Sequence, residues 1–526
     1  MPREGESLKA TTGWIVRNYA VTVAVMATFV VVVLRLWMGR HVTFCGGPDS
    51  CAYLALGESL SHHHGFALNF LYQYQFVDLH LPTHGLEYWR PGVSFLLLLA
   101  QPFGGVTLGS SVVVATLAGV VLALAAWKIA MDFSGDRRLA CASYLLCLLL
   151  PEFWGSSLTP DSALFYGAFA AWFLALFTVR FQSYGADVLA LLCAVAVDLI
   201  RNDSILLVVP LVVVLWLRRR SGQTKGASVL YVTTILVGYL ATRLPLQLVN
   251  YKVAGKVVHT QTLQVLYVTS LSDLLHYHEP STLHTMFAVG IVQLAKLRLT
   301  TIPFIVYRLM FVEIGFAVVF LFALSWQRRD QERSSFPEMA GGISFAITVV
   351  GVYGLVIPAV GISSALRSFI AVTPLISVLI VLSVYRAVSA EVARRLMTAV
   401  LLFYAIQGLM DDRRNVANDN RTGDQDRRVA AYLAQHGVMP GDSSLIMTRD
   451  AAQFSTTTGY AAIPLPSNGV PATLRAVQDI RPTQVLLDQG EEPDVVEMQM
   501  RAALKPVDVA TIPGTGVVVL TMPAKQ

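Results

Sequence analysis

Recurrent apolar stretches are the sequence feature that most constrains the fold of this chain. They run from Tyr19 to Met410, and several are about 20 residues long, enough for a helix to cross about 30 Å of hydrocarbon. Only 14% of the 526 residues are charged, whereas a soluble domain carries about 25%. Because lipid offers no hydrogen bonds to the backbone, the sequence predicts an all-α polytopic membrane domain.

Apolar runs and basic connections together predict eleven membrane spans. They lie at 19–38, 109–131, 139–153, 161–179, 185–199, 203–217, 229–248, 302–326, 340–361, 369–388 and 395–410. No small-residue cleavage site follows the first run, so we expect a retained span and not a removed signal peptide.

Clusters of basic residues orient these spans. The clusters are Arg3, Lys9 and Arg17; Arg137 and Arg138; Arg218, Arg219, Arg220 and Lys225; Arg328, Arg329 and Arg333; and Arg394 and Arg395. With the N-terminus inside, all of them fall on the same side of the membrane. The positive-inside rule therefore predicts a cytoplasmic N-terminus.

Two regions outside the spans have structure of their own. The first outer loop ends in the apolar run Val93–Pro102, which is too short to span and predicts an interfacial or re-entrant helix. After the membrane domain, 1–410, comes a polar segment, 411–426, predicted as a linker. From 427 to 526, short β-prone runs alternate with helical segments, which predicts a small α/β domain on the outer side.

The chain has five cysteines. Cys45 and Cys51 lie just outside the first span and could form a small disulfide loop if that side is oxidising. The sequence alone leaves their pairing open. The other three lie in predicted spans, where cysteine behaves as a small apolar residue.

Asp49 is the most informative acidic residue. It lies in a Gly-Gly-Pro-Asp-Ser turn, about ten residues beyond the outer end of the first span and before an apolar helical segment. A carboxylate at this position could act as general base toward an acceptor hydroxyl. The alternative is that Asp49 only caps the following helix.

Other outer residues are candidates for the same site. Glu87 and Arg90 precede the short interfacial helix, beside aromatic residues that are ordinary at an interface. Asp161 opens the fourth predicted span, either as a helix start or as a second carboxylate in the same cavity. Arg201 and Arg367 lie in outer turns, where guanidinium groups bind phosphate oxygens bidentately or extend to lipid headgroups.

Signals for metals and nucleotides are weak. The run His62–His64 lacks helical ligand spacing, and His276, His278 and Glu279 form a weak metal pattern. The sequence contains no Walker loop, dinucleotide-binding glycine pattern or nucleophile elbow. We therefore expect no cofactor and no soluble nucleotide-sugar site, and a divalent metal requirement stays open.

Several segments resemble one family. They are GPDSCAYLALGESLSHHHGF, WRPGVSFLLLLAQPFGG, TPDSALF, LIRNDSILLVVPLVVVLWL and RSFIAVTPLISVLIV, with a tail containing SSLIMTRDAAQFSTTTGYAAIPLPS. The sequence resembles the multi-spanning type-C glycosyltransferases that use polyprenyl-phosphate sugars, such as the aminoarabinose transferases of lipid A and the protein O-mannosyltransferases. It departs from them in having RPG where RPPG is common, and PDS in place of a tandem Asp-Glu.

This resemblance implies a function and residue roles. Asp49 would be the base in an inverting transfer, with Asp161 as a second acidic residue, and Arg367, Arg201 and Arg90, with Glu87, would bind substrate. The partners would be a polyprenyl-phosphate donor and a lipid, glycan or protein acceptor outside a bacterial inner membrane, without nucleic acid. The competing hypotheses are a transporter or lipid flippase, although no repeated halves are visible, and a non-catalytic scaffold.

Overall fold

A computed structural model describes most of the chain. The described residues are 19–74, 79–87, 89–150, 155–178, 183–220, 229–254, 265–311, 336–357, 361–441, 444–488 and 494–523. Helices dominate up to residue 435, and the strands of a five-stranded sheet follow.

The first part of the chain is a bundle of apolar helices. In chain order they are α1 (Tyr19–Gly39), α2 (Pro48–Ser61), α3 (Gly92–Leu97), α4 (Leu108–Ser134), α5 (Arg137–Leu149), α6 (Ser162–Leu176), α7 (Tyr184–Ile200), α8 (Val208–Arg220), α9 (Val229–Ala241), α10 (Leu244–Ala254), α11 (Leu283–Ala288), α12 (Ile291–Phe311), α13 (Phe336–Gly351), α14 (Gly361–Phe369), α15 (Thr373–Ala387) and α16 (Ala390–Gln435).

Six helical segments among the described residues are long and apolar enough to cross a membrane. They are Tyr19–Gly39, Leu108–Ser134, Leu230–Lys252, Met339–Val356, Ser364–Ala387 and Ala390–Gln435. The protein is thus a multi-pass membrane protein. The predicted count of eleven spans is not confirmed, and much of the predicted span 302–326 falls on 312–335, outside the described residues.

Small residues let the bundle helices approach closely. A Cβ on Gly167 of α6 would lie 2.4 Å from Cγ2 of Ile370, in the 3₁₀ turn between α14 and α15. Ala123, Ala126 and Ala130 of α4 are completely buried in the same region. Without a hydrophobic driving force in lipid, such close backbone packing is a main source of helix association. It fixes α6 against the segment that carries α14.

The loop between α1 and α4, which the sequence predicts to be the first outer loop, contains its own small elements. A disulfide joins Cys45 to Cys51, so the pairing that the sequence left open is present. Strands β1 (Ala67–Leu68) and β2 (Thr83–His84) pair antiparallel after α2. The apolar run predicted as a short helix forms α3, and a 3₁₀ helix continues it from Leu98 to Phe103.

The C-terminal region forms a small mixed sheet. Its elements are β3 (Leu445–Thr448), α17 (Ala451–Thr458), β4 (Ala461–Pro464), α18 (Val470–Ile480), β5 (Gln484–Asp488), α19 (Asp494–Leu504), β6 (Asp508–Ile512) and β7 (Val517–Thr521). The strand order is β4-β3-β5-β7-β6. The first three are parallel, and β7 and β6 are antiparallel. The segment 411–426, predicted as a linker, is helical and continuous with α16.

The C-terminal sheet is attached to the first outer loop. Phe70 bridges Ala462 of β4, and the backbone N–H of Leu71 donates to the Ala462 carbonyl at 2.9 Å. On α17, the Thr456 hydroxyl donates to the Cys51 carbonyl of α2 at 3.4 Å. The α/β region therefore helps to hold α2, the helix that carries Asp49.

Candidate functional site

Asp49 lies in the first turn of α2 with its carboxylate turned away from the helix end. The helix begins at Pro48 with Gly47 as N-cap, and no side chain caps it. Oδ1 of Asp49 instead accepts from the Trp89 indole N–H at 3.1 Å, and Oδ2 accepts from Nη1 of Arg367 at 2.6 Å. Asp49 therefore does not cap α2, and the alternative interpretation is wrong.

Arg367 joins Asp49 to the second predicted carboxylate. Its Nη2 lies 3.0 Å from Oδ2 of Asp161. Asp161 also caps α6, because its Oδ1 accepts from the backbone N–H of Ala163 at 2.7 Å. The side chains of Asp49 and Arg367 remain 25% and 32% exposed. The cluster is therefore ordered by ion pairs and still open to a substrate hydroxyl.

A cavity of about 240 Å³ opens beside this cluster. We call it the arginine-lined cavity, because Arg90, Arg201 and Arg367 line it together with Asp49. Asp161 lines a neighbouring cavity of about 170 Å³, which shares Arg367. The structure thus brings four predicted site residues to one cavity and places Asp161 at the neighbouring one, in contact with Arg367.

Arg90 is buried with a free donor. Its Nε donates to the Asn202 side chain, whereas its Nη1 is buried without a hydrogen-bond partner among the described residues. Burial lowers the pKa of Arg90 from its usual value to about 10, with Asp198 opposing this effect. A buried cation with an unused donor is costly unless an anion pairs with it. The arginine-lined cavity is therefore suited to a phosphate group.

Gly92 explains how Arg90 reaches Asn202. A Cβ at Gly92 would lie 2.6 Å from the backbone carbonyl of Leu199, near the end of α7. Only glycine permits this approach of α3 to α7. The Trp-Arg-Pro-Gly sequence thus sets two site residues, Trp89 and Arg90, against the outer end of α7.

Arg201 is held by a buried partner, Asp203, which was not among the predicted site residues. Its Nε donates to both Asp203 oxygens, at 2.8 and 3.1 Å, and its Nη1 donates to the Ser162 hydroxyl at 3.2 Å. Asp203 also accepts from the Tyr353 hydroxyl at 2.8 Å and from Ser368. A signal was available, since an acidic residue at the start of a predicted span is a functional hypothesis by default.

Glu87 ends a short 3₁₀ turn, Gly85–Glu87. Its side chain lies outside the described atoms, so its substrate role stays a prediction. Trp89, two residues later, provides the contact to Asp49. Its position in the sequence is equally typical of an aromatic residue at the membrane interface, and no pattern in the sequence distinguishes the two roles.

Metal ligands do not cluster in the described part of the chain. There, no group of three or more His, Cys, Asp or Glu side chains could hold a metal ion. On the outer surface, Nε2 of His278 lies 3.3 Å from Oδ2 of Asp479, which also accepts from the Tyr277 hydroxyl. The weak histidine pattern therefore includes a contact to the C-terminal domain.

Structural neighbours identify the architecture. Over 97% of this chain and 98% of the other, it superposes on ArnT from Cupriavidus metallidurans bound to undecaprenyl phosphate, with a TM-score of 0.56 and 15% identity. The archaeal oligosaccharyltransferase AglB from Archaeoglobus fulgidus, in complex with an inhibitory peptide and a dolichol-phosphate, gives a TM-score of 0.52 at 12% identity. That alignment covers 93% of this chain and 71% of the other.

The chain has the fold of ArnT and of AglB. The apo AglB structure matches as well, with a TM-score of 0.51 and 12% identity over 90% of this chain and 70% of that one. No family model matches the sequence, and no curated protein matches it. The likeness therefore lies in the fold, and the fold that the resemblance of the short motifs implied is the one that these neighbours have.

Proposed function

We propose that this protein is an inverting glycosyltransferase that moves one sugar from a polyprenyl-phosphate donor to an extracytoplasmic acceptor, with Asp49 as general base. The observation that carries the proposal is the arginine-lined cavity, where a partly exposed carboxylate lies beside three guanidinium groups. A base and a phosphate site in one cavity are what this transfer requires. The fold shared with ArnT and AglB, whose structures contain undecaprenyl phosphate and dolichol-phosphate, supports the same reaction class.

The reaction is a single displacement at the anomeric carbon. The acceptor hydroxyl attacks this carbon, its proton passes to Asp49, and a new C–O bond forms while the bond to the donor phosphate breaks. The polyprenyl phosphate leaves as an anion. Arginine side chains stabilise the charge that develops on its oxygens, which is electrostatic catalysis at the group where charge appears.

Asp49 can accept a proton while it keeps its hydrogen bonds from Trp89 and Arg367. A carboxylate offers about four lone-pair sites. Trp89 occupies one on Oδ1 and Arg367 occupies one on Oδ2. The remaining sites are free to bind the acceptor hydroxyl, and the two donors hold the carboxylate in one orientation.

Arg90 and Arg201 are assigned different tasks. Arg201 is already satisfied by Asp203 and Ser162, so it contributes a fixed positive charge to the cavity wall. Nη1 of Arg90 has no hydrogen-bond partner in the part of the chain that the structure describes and would donate directly to a phosphate oxygen. Arg367 lies between the phosphate region and Asp49, which places it close to both reacting partners.

The proposed location is a bacterial inner membrane with the site on the outer side. The Cys45–Cys51 disulfide supports this side, because disulfides persist in oxidising compartments. The basic clusters, which favour a cytoplasmic N-terminus, support the same orientation. Eleven spans would then place the C-terminal domain outside.

The deciding experiment compares lipid extracts by mass spectrometry. Cells carrying Asp49→Asn should accumulate one polyprenyl-phosphate sugar and lose that sugar from a surface lipid or glycan. Glu58→Gln is the matched control, since it makes the same carboxylate-to-amide change at an exposed position of α2 and should behave as wild type. Extracts that do not differ, with the protein stably expressed, would remove Asp49 as base and favour a transporter.

A further inference from the structure

A second, larger cavity lies next to Asp49 on the side of the C-terminal domain. We call it the outer cavity. It has a volume of about 750 Å³, and Pro48, Tyr72, Ser272, Arg449, Asp450 and Gln499 are among its lining residues. Pro48 precedes Asp49 directly, and Asp49 lines the arginine-lined cavity. The two cavities therefore lie at neighbouring residues of the first turn of α2.

We propose that the outer cavity binds the carbohydrate part of the acceptor, whose reacting hydroxyl then reaches Asp49. This inference rests on the proposed function and names the acceptor class. The donor phosphate would occupy the arginine-lined cavity and the acceptor glycan the outer cavity, with the base between them. The volume is within the range of about 300–1,000 Å³ that is usual for small-molecule sites.

The position of the outer cavity in the sheet supports a binding role. Strand β3 ends at Thr448, and Arg449 and Asp450 follow at once. Strand β4 ends at Pro464, and five of the next six residues line the cavity: Leu465, Pro466, Ser467, Gly469 and Val470. Open α/β sheets bind ligands at the carboxyl ends of parallel strands, where the loops converge. The outer cavity lies at such an edge.

The chemistry of the lining matches hydroxyl groups. The exposed side chains of Arg449, Asp450 and Gln499 are planar groups that can each make paired hydrogen bonds. Because the charges of Arg449 and Asp450 cancel, these side chains carry no net charge that would select a polyanionic ligand. The lining also contains apolar side chains such as Leu274 and Met500, and the aromatic ring of Tyr72, which suit the C–H faces of a sugar ring.

Tyr72 links the two cavities physically. Its ring packs edge-on against Trp89, with 4.9 Å between the ring centroids. Trp89 in turn donates to Asp49 and lines the arginine-lined cavity. A sugar lying on Tyr72 would be one aromatic side chain away from the carboxylate.

A peptide acceptor fits the outer cavity less well. An extended peptide is usually recognised by adding a strand to a free sheet edge. At the neighbouring edge, Ala462 of β4 already uses its backbone N–H and carbonyl to bond Asn69 and Leu71 of the outer loop. The backbone N–H of Ser467 is bonded to the Leu275 carbonyl as well. Recognition must therefore come from side chains, which favours a glycan.

The test measures glycan binding without turnover. Purified full-length protein in detergent is applied to an array of immobilised oligosaccharides. Wild-type protein should retain a defined subset of the glycans. Arg449→Ala and Gln499→Ala should each lower the apparent affinity about ten-fold, the size expected for one lost hydrogen bond to a polar ligand.

Matched controls lie on α18. Arg475→Ala and Gln478→Ala make the same changes at exposed positions away from the cavity lining and should leave the array pattern unchanged. The thermal midpoint of each variant is recorded, so that unfolding is not read as lost binding. Absence of any retained glycan, or equal loss in lining and control variants, would overturn the proposal.

The same array separates this inference from the proposed function. If Asp49→Asn leaves donor levels in cells unchanged while glycans still bind through Arg449 and Gln499, the transferase assignment fails and the glycan site stands. If Asp49→Asn raises the donor level in cells but no glycan binds through Arg449 and Gln499, the protein is a transferase with another acceptor. Competition between a free oligosaccharide and the same sugar on a glycolipid in nanodiscs then identifies which form the cavity takes.

Discussion

Asp49 and Arg367 lie 318 positions apart in the chain, yet Oδ2 of the carboxylate is 2.6 Å from Nη1 of the guanidinium. The same guanidinium contacts Asp161 through Nη2 at 3.0 Å. One planar side chain on α14 thus fixes two carboxylates that come from α2 and from the cap of α6. A fork with two separate donors can do this, whereas an ammonium group cannot reproduce the geometry.

We therefore predict that Arg367→Lys lowers kcat about 100-fold, the order expected when a reacting group is displaced by about 1 Å. The charge is kept, so the donor KM should change much less than kcat. Transfer of labelled sugar in proteoliposomes gives both constants. Arg395→Lys is the control, because Arg395 is 79% exposed on α16. A rate within two-fold of wild type would exclude Arg367 as a positioning residue.

Trp89 provides the other fixed contact of Asp49, and the loss of this contact should also slow the transfer. Trp89→Phe removes the indole donor to Oδ1 and keeps an aromatic ring against Phe70 and Tyr72. One hydrogen bond to a charged group contributes about 1.5–3 kcal/mol, so kcat should fall roughly 10-fold to 100-fold. Phe70→Leu, which changes only the ring packing, is the comparison. Equal losses in both variants would assign the effect to packing.

Arg90 should control donor binding and not acceptor binding. Its buried Nη1 lacks a partner among the described residues, and the proposed partner is a phosphate oxygen. Arg90→Gln should therefore raise the donor KM about ten-fold or more and leave the acceptor KM unchanged. Arg40→Gln, at an exposed site of the same outer loop, should alter neither constant. An equal rise in both constants would place Arg90 outside the donor site.

The site residues could be selected from the sequence one by one, but their contacts could not. Hydropathy and basic clusters placed Asp49, Arg201 and Arg367 in predicted outer segments, because these signals are read along the chain and need no knowledge of tertiary contacts. Which segments meet depends on helix packing, such as the approach of Gly92 to Leu199. Asp203 was not among the predicted site residues because it lies at the start of the predicted apolar span 203–217. Its partners Tyr353 and Ser368 are distant in the chain.

For the segment 411–426, amino-acid composition alone does not predict the structure. Its polar sequence predicted a linker, yet the whole segment lies within the helix α16. Gly423 lies there against Phe44, where a Cβ would be 2.9 Å from a ring carbon. Val429 and Leu433 are buried further along the same helix. Tertiary contacts on one face thus support a helix whose other face is solvated, which the average composition of the segment does not reveal.

A buried ion pair anchors this helix to the first span. Nη1 of Arg35 lies 3.4 Å from Oδ2 of Asp412, and both side chains are completely buried. Arg35 also donates to the Ser157 hydroxyl. Helix α16 leads into the α/β domain, and α1 leads into the loop that contains Asp49. The ion pair therefore joins the two helices that precede these parts of the site. A charge within a span suggests function by default, but these contacts indicate a structural role.

We predict that Arg35→Met destabilises the protein by about 3–5 kcal/mol, since it leaves the Asp412 carboxylate buried without its cation. The double variant Arg35→Met with Asp412→Leu should recover much of this loss, because an apolar pair of similar volume needs no desolvation of charge. Thermal unfolding in detergent measures both, with Arg40→Met, at the exposed position just after α1, as control. A double variant no more stable than the single one would show that the packing around Arg35, and not its charge, holds α1 to α16.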